Sequence, residues 1–226
     1  MKILVLADIH GDRAALDKVL DSIKEGFDVV ICPGDVTDMF NIPKEFSQMD
    51  MADMIIQKIL ALKKPLLCVP GNHDPYEMVH LLDDYGINLH EKVKKMGGVK
   101  FAGWGGALTP FNTIFEPTEE ETTEALALLG GKVNGDFILV VHAPPKNTTL
   151  DRVASGEHVG SEAVRGFILE KQPLLAVSAH IHEAGGTDKL GKTTVFYPGP
   201  VYEGWYGIVI LEGKTVKCER KQIKLD

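Results

Sequence analysis

Positive charge is in short supply in this sequence: 24 lysines and arginines stand against 32 aspartates and glutamates, a formal net charge of −8 over 226 residues. That balance argues against a non-specific nucleic-acid binder, which needs basic stripes to displace counterions from phosphates. An anionic substrate must find its positive charge in some other source. Cysteine is equally scarce. Cys32, Cys68 and Cys218 are odd in number and far apart, so buried free thiols in a reducing compartment are expected rather than a disulfide framework. Neither a signal peptide nor a membrane span precedes the first apolar run, Lys2-Ile3-Leu4-Val5-Leu6; the expectation is a cytoplasmic protein without membrane contact. Low-complexity tracts and repeats are missing as well. The glycines of Gly103-Trp104-Gly105-Gly106 have neither the spacing nor the following helix of a dinucleotide fingerprint. What is left is ordinary globular composition, 44% apolar and 25% charged, with the length of one large domain over residues 1–226.

What is present is a series of short apolar runs, each ending in residues that can bind or catalyse. Residues 3–7 read as a strand covered on both faces, ending in Asp8-Ile9-His10-Gly11. In an extended backbone positions i and i+2 point the same way, so Asp8 and His10 can converge. Asp12 is placed to cap a helix carrying Leu16, Val19, Leu20 and Ile23 on one face. Val29-Val30-Ile31-Cys32 ends in Pro33-Gly34-Asp35-Val36-Thr37-Asp38. Residues 41–50 read as a loop and 52–63 as an amphipathic helix. Leu66-Leu67-Cys68-Val69 then runs into Pro70-Gly71-Asn72-His73-Asp74. Pro75 suits the first position of a helix reaching about residue 84, with Asp74 as its N-cap and Glu77 closing a capping box. Strand–helix–strand order with short links implies parallel units, and open α/β sheets bind ligands at their carboxyl edge.

Beyond residue 84 the texture changes. Residues 99–102 look like a short strand, and the loop 108–117 offers Trp104, Phe111 and Phe115 as candidates for a substrate wall. His80 and His90 read as surface or boundary residues. Thr118 with Glu121 makes a second capping box, and Gly130-Gly131 should end that helix. Residues 137–141 form another buried run, followed at once by His142. Residues 144–160 are too long for a simple connection and suggest a lid or binding loop. Ser161 caps a helix through residue 169. Residues 174–178 then lead into Ala179-His180-Ile181-His182. Short strands at 193–197, 206–211 and 215–219, separated by Gly turns, read as antiparallel.

Eight histidines are present, and His10, His73, His142, His180 and His182 all fall at or just past the end of an apolar run. Asp8, Asp35 and Asn72 share that placement. Core histidines would be scattered through the runs instead. Leaving His73 aside, Asp8, His10, Asp35, Asn72, His142, His180 and His182 can all ligate. One ion with an open position takes fewer donors, so two ions sharing a bridging ligand fit better. Oxygen and imidazole donors without thiolate suit manganese, iron, zinc or cobalt, with nickel also admissible; manganese is expected. Two divalent ions carry four positive charges against two ligand carboxylates. That surplus would let an acidic protein hold a phosphate.

Asp8-x-His10, Gly34-Asp35-x-x-Asp38, Gly71-Asn72-His73-Asp74, His142 and His180-x-His182 resemble, in order, the five motifs of the calcineurin-like metallophosphoesterases. The match spans residues 8–182 and is most similar to small, single-domain prokaryotic members. The resemblance implies an α/β fold of four layers, an αββα sandwich with mixed sheets. It implies that Asp8, His10, Asp35 and His182 hold one ion while Asp35, Asn72, His142 and His180 hold the other. Asp35 would bridge, together with a hydroxide that attacks phosphorus in line. His73 would protonate the leaving oxygen or stabilise the transition state, and Asp74 is either its partner or the helix cap. The family usually has Gly before the last His-x-His pair, and Ala179 stands there; a slight change of backbone is expected.

The function so implied is hydrolysis of phosphodiesters or phosphomonoesters, with a small phosphate ester as partner and the oligomeric state open. The alternative is a non-catalytic interaction module that retains the fold, which would be expected to lose ligands or His73. A repair-type nuclease would need further domains and a basic path for DNA. Arg13, Lys146, Arg152, His158 and Arg165 are candidate contacts for the leaving group.

Overall fold

The computed structural model describes residues 1–225. Two sheets organise it. One has five strands in the order β11-β10-β1-β2-β3, and the other has six in the order β4-β5-β6-β7-β9-β8. The first joins β1 (Lys2–Val5), β2 (Val29–Cys32) and β3 (Leu66–Cys68) in parallel; β10 (Trp205–Glu212) and β11 (Thr215–Gln222) extend it antiparallel. The second joins β5 (Val99–Trp104), β6 (Phe137–Val141), β7 (Leu175–Val177) and β9 (Thr193–Tyr197) in parallel. Antiparallel edges β4 (Val93–Met96) and β8 (Gly186–Leu190) close it.

Period-2 alternation along these runs dictates the layering. Ile3, Val5, Val29, Ile31 and Leu67 of the first sheet pack with Phe101, Ile138, Val140, Val177 and Phe196 of the second. Their neighbours Leu4, Leu6, Val30, Cys32 and Leu66 face outward onto α1 (Arg13–Ser22), α2 (Gln48–Leu60) and α3 (Met78–Asp84). On the far side Ala102, Leu139, Val141, Ala176 and Val195 pack against α4 (Glu119–Lys132) and α5 (Glu162–Lys171). The result is the four-layer αββα sandwich with mixed sheets. Both apolar faces of every central strand are covered, which is why those runs are continuously hydrophobic.

Among the boundaries that differ from the sequence reading, three have a physical reason in caps or packing. Helix α2 begins at Gln48 inside the expected loop, because Ser47 and Asp50 form a reciprocal capping box there. Helix α4 runs through Gly130-Gly131 to Lys132 instead of ending at them. A Cβ on Gly130 would lie 2.7 Å from Lys171 Cε and 3.1 Å from Phe167 Cε2, so the missing side chain lets α4 and α5 approach rather than terminating the helix. Helix α3 starts at Met78, and its first turn has no side-chain cap from Asp74 or Glu77. Asp12, Thr118 and Ser161 do cap their helices, accepting from Ala15, Glu121 and Val164 backbone N–H groups. Among the described residues no helix is long and apolar enough to cross a membrane.

Candidate metal centre

The carboxyl ends of β1, β2, β3, β6 and β7 meet at one edge of the sandwich, and there Asp8, His10, Asp35, Asn72, His142, His180 and His182 gather. Ligand atoms of Asp8, His10, Asp35 and His182 lie within 4.8 Å of one another, and so do those of Asp35, His142 and His180. Asp35 belongs to both sets. Its Oδ2 stands 3.4 Å from His10 Nε2 and 3.4 Å from His142 Nε2. Asn72 Oδ1 is 2.9 Å from His142 Nε2, while its Nδ2 donates to Thr113 Oγ1 at 3.0 Å, which sets the direction of the amide.

This convergence is not the product of extended backbone. Asp8, His10, Asp35 and His180 all have positive φ, at 49°, 50°, 50° and 81°. Non-glycine residues held there cost about 1–3 kcal/mol each and survive only where the surroundings over-determine them. Backbone bonds supply that constraint: Asp8, His10 and Gly11 N–H groups donate to Gly34, Asp35 and Val36 carbonyls, zipping the first loop to the second. Ala179 is not among the left-handed residues, so its replacement of glycine costs the turn nothing; the strain falls on His180. Glycine is required elsewhere. A Cβ on Gly71 would lie 2.1 Å from Asp35 Oδ1, and one on Gly34, at φ 110°, 2.6 Å from His142 Nδ1.

The donor set fits divalent cations. Asp8 Oδ2 is buried without a hydrogen-bond partner in the protein, a costly state for a carboxylate oxygen unless a cation neutralises it. His10 Nε2 and His182 Nε2 face each other at 3.1 Å; nitrogens bound at ~2.0–2.1 Å to one tetrahedral or octahedral ion would sit about 2.8–3.4 Å apart. His142 Nδ1–H donates to the Pro33 carbonyl at 2.9 Å, which leaves Nε2 as its ligating nitrogen. Burial opposes charge on the rings of His142 and His180, with different outcomes. His142 is nonetheless raised to about 9 by the Asp35 carboxylate beside it. His180 is pushed down to about 3 by burial and by His142. Asp35 is held well below the usual carboxylate range: burial pushes it up, and the imidazoles of His142, His10 and His73 outweigh that.

His73 lies apart from the ligand clusters of Asp35. Its backbone N–H donates to Asp35 Oδ1 at 2.8 Å, and its ring Nδ1 meets Asp38 Oδ1 at 3.2 Å. Asp38 also accepts from Phe40 N–H and Asn41 Nδ2, and these bonds keep it ionised although burial opposes them. His10, Asp38 and His73 themselves form a third group with metal-ligand spacing. Phe40, 67% exposed, meets the His73 ring edge to face. The partner of His73 is therefore Asp38, which the sequence reading places in a motif without a role; its spacing three residues after Asp35 is the available signal.

Asp74 takes neither role expected of it. Fully buried, its carboxylate accepts from the N–H groups of Gly71, Val36 and Thr37 and from Thr37 Oγ1 at 2.8–3.2 Å. It braces the β2 and β3 loops against each other. Burial and the Asp35 charge raise its pKa to about 6. Each Asp74 oxygen accepts two donors, so Asp74→Asn must turn an N–H₂ toward two of them. The expected cost is about 2–4 kcal/mol, a fall in Tm of roughly 5–15 °C. An unchanged Tm would restore the capping role, since Asn caps as well as Asp.

Several other expectations change. Trp104 and Phe115 are buried, and only Phe111 of that trio is exposed. Burying them tethers the loop: the N–H groups of Ile114 and Phe115 donate to the Asn72 carbonyl. His90 is a buried residue, accepting from Gly105 N–H and stacked on Trp104 at 4.6 Å; burial pushes it down to about 4. Residues 144–160 are folded around buried Asp151, which accepts from Asn147, Thr148 and Gly160 N–H groups and meets His158 Nδ1 at 2.7 Å. Of the candidate leaving-group contacts, Arg13 faces Asp17, Arg165 donates to the Lys146 carbonyl, and Lys146 pairs with Glu162. Only Lys146 reaches the small cavity beyond His180, of about 180 Å³. On the opposite side of the cluster lies a groove of about 500 Å³, lined by His10, His73 and His182 with Asp12, Asp38 and Tyr202, and by no lysine or arginine.

Comparison with known proteins agrees with this geometry. Residues 1–184 match the family model described as calcineurin-like phosphoesterase. The chain is 35% identical over 223 residues to protein MJ1162 of Methanocaldococcus jannaschii, covering 94% of this chain and 96% of that one. Among solved structures it is similar to TT1561 of Thermus thermophilus, with a TM-score of 0.73 at 20% identity over 96% and 97% of the two chains. It is also similar to the phosphopantetheinyl hydrolase PptH of Mycobacterium tuberculosis, with a TM-score of 0.61 at 14% identity over 89% and 90%. At these identities the two structures speak for the fold alone. The matched motifs, the relative and the His/Asp cluster together make this chain a member of the calcineurin-like phosphoesterase family, whose members use divalent metals to act on phosphate esters.

Proposed function

We propose that this protein, working as a single domain, is a dinuclear metal-dependent phosphoesterase that hydrolyses phosphodiesters or phosphomonoesters. The observation that carries the reading is the pair of donor sets sharing Asp35. Asp8, His10, Asp35 and His182 would hold one ion; Asp35, Asn72, His142 and His180 would hold the other. Two divalent ions there would supply positive charge for the phosphoryl oxygens and activate water for in-line displacement. The chain's own contribution is placement. Asp35 lies between the two sets, Asn72 is aimed by Thr113, and the His73 imidazole, its Nδ1 on Asp38, turns its other nitrogen toward the groove to donate a proton to the leaving oxygen.

The groove that would receive the ester carries Asp12 and Asp38 and no lysine or arginine, so the positive charge that draws a phosphate ester into it would come chiefly from the ions.

The test is a substrate panel on protein stripped by chelation and reloaded with one metal at a time. Turnover of an aryl phosphodiester should vanish on stripping and return with manganese, and elemental analysis should find two ions per chain. Loading that never passes one ion would count against the bridged pair. Absence of metal-dependent turnover on every ester would favour a non-catalytic interaction module.

A further inference from the structure

Tyr202 lies twenty residues beyond His182 and on a different element, a 3₁₀ turn at Val201–Glu203. That turn is fastened to the end of β1: Val201 N–H donates to the Ala7 carbonyl at 2.9 Å, and Pro200 pairs with Ala7. Gly204 and Trp205 N–H groups close the turn on Val201 and Pro200 carbonyls. The strand end that carries Asp8 therefore also carries Tyr202. Its hydroxyl sits 2.7 Å from His182 Nδ1, and its ring stands edge-on to His182 and His10 at 5.2 and 5.5 Å between centroids.

Resting on the dinuclear reading above, we infer that Tyr202 is the positioning residue for His182, accepting its Nδ1–H and so committing Nε2 to an ion. The chemistry leaves one consistent assignment. His182 Nε2 is the nitrogen that faces His10 Nε2 at 3.1 Å, with Asp8 Oδ1 at 3.9 Å. To ligate it must present a lone pair, so the ring proton sits on Nδ1, and among the described residues only the phenol oxygen is there to receive it. His142 meets the same need through the Pro33 carbonyl. The 3₁₀ turn that begins at His182 offers no such backbone acceptor, and a tyrosine from the neighbouring sheet edge fills the position. The phenol's own O–H is then free to point into the groove that Tyr202 lines. A partner of this kind both fixes the ring orientation and raises ligand basicity, and losing one typically costs 10–100-fold in metal affinity.

Tyr202→Phe removes the hydroxyl and keeps the ring packed. Isothermal titration of the metal-free variant with manganese should show one site weakened about 10–100-fold and the other unchanged, with the metal-free Tm unaltered. Cobalt-loaded wild-type protein should show hyperfine-shifted, exchangeable imidazole N–H signals in its proton NMR spectrum. The variant should lose one of them to solvent exchange. Two wild-type affinities with every such signal retained would overturn the assignment. His182→Ala serves as the control and should weaken the same site. If His182→Ala itself keeps both ions, the dinuclear reading fails at His182 and the role of Tyr202 falls with it; an intact effect of His182→Ala beside a silent Tyr202→Phe removes Tyr202 alone.

Discussion

Asp35→Asn should empty both metal positions and lower kcat/KM by about three orders of magnitude or more. The amide has the shape of the carboxylate and can still accept the His73 N–H through Oδ1. What it lacks is the charge at Oδ2, 3.4 Å from both His10 and His142. A bridging ligand serves two ions at once, so its loss removes several kcal/mol of transition-state stabilisation, and each 1.36 kcal/mol is tenfold in rate. His142→Ala removes a ligand of one set only and should mainly weaken one ion. Elemental analysis of both variants after manganese loading gives the comparison. Selective loss of one and the same ion in both would end the case for Asp35 as the bridge.

His73→Ala should reduce turnover by about 10²–10⁴ and leave two ions bound, the range typical of a positioned general acid. Its ring is held by Asp38 on Nδ1, by the edge of His10 at 4.8 Å and by Phe40. Of these contacts only that with His10 touches a residue of the Asp35 sets, and it is edge-to-face ring packing. Asp38→Asn should lower turnover less, about tenfold, because the amide oxygen can still accept from the ring Nδ1 and hold it in place, while the negative charge beside it is lost. Equal metal content across the three proteins, read beside kcat, separates proton donation from ligand loss. Full activity in His73→Ala would take His73 out of the mechanism. An Asp38→Asn loss as deep as that of His73→Ala would show the pair acting as a unit.

The sequence by itself determined the covered strands and the gathering of the site at their carboxyl ends, and the four-layer sandwich was implied by the resemblance of its motifs to a known family. Continuous apolar runs can be satisfied only by cover on both faces, and α/β order brings their carboxyl ends to one edge. That is why Asp8, His10, Asp35, Asn72, His142, His180 and His182 can be named from the positions at which each run stops. Local rules also settled the caps at Asp12, Thr118 and Ser161, where a side chain satisfies N–H groups two or three residues away.

The tertiary structure decided what depends on who approaches from elsewhere in the chain. Asp74 looks like a cap because Pro75 follows it; it is a brace because the β2 loop, with Val36 and Thr37, offers donors that no local pattern displays. Gly130 has the look of a stop signal until α5 is packed against it. Extended backbone would bring Asp8 and His10 together, whereas left-handed turns achieve it, held by bonds between separate loops. Tyr202 reaches His182 only because its turn is pinned to β1 across the two sheets. Periodicity and capping act over a few residues and are written in the local sequence. Hydrogen bonds between loops form at the edge where strands end, between residues tens of positions apart, and only the packed sheets bring those residues together.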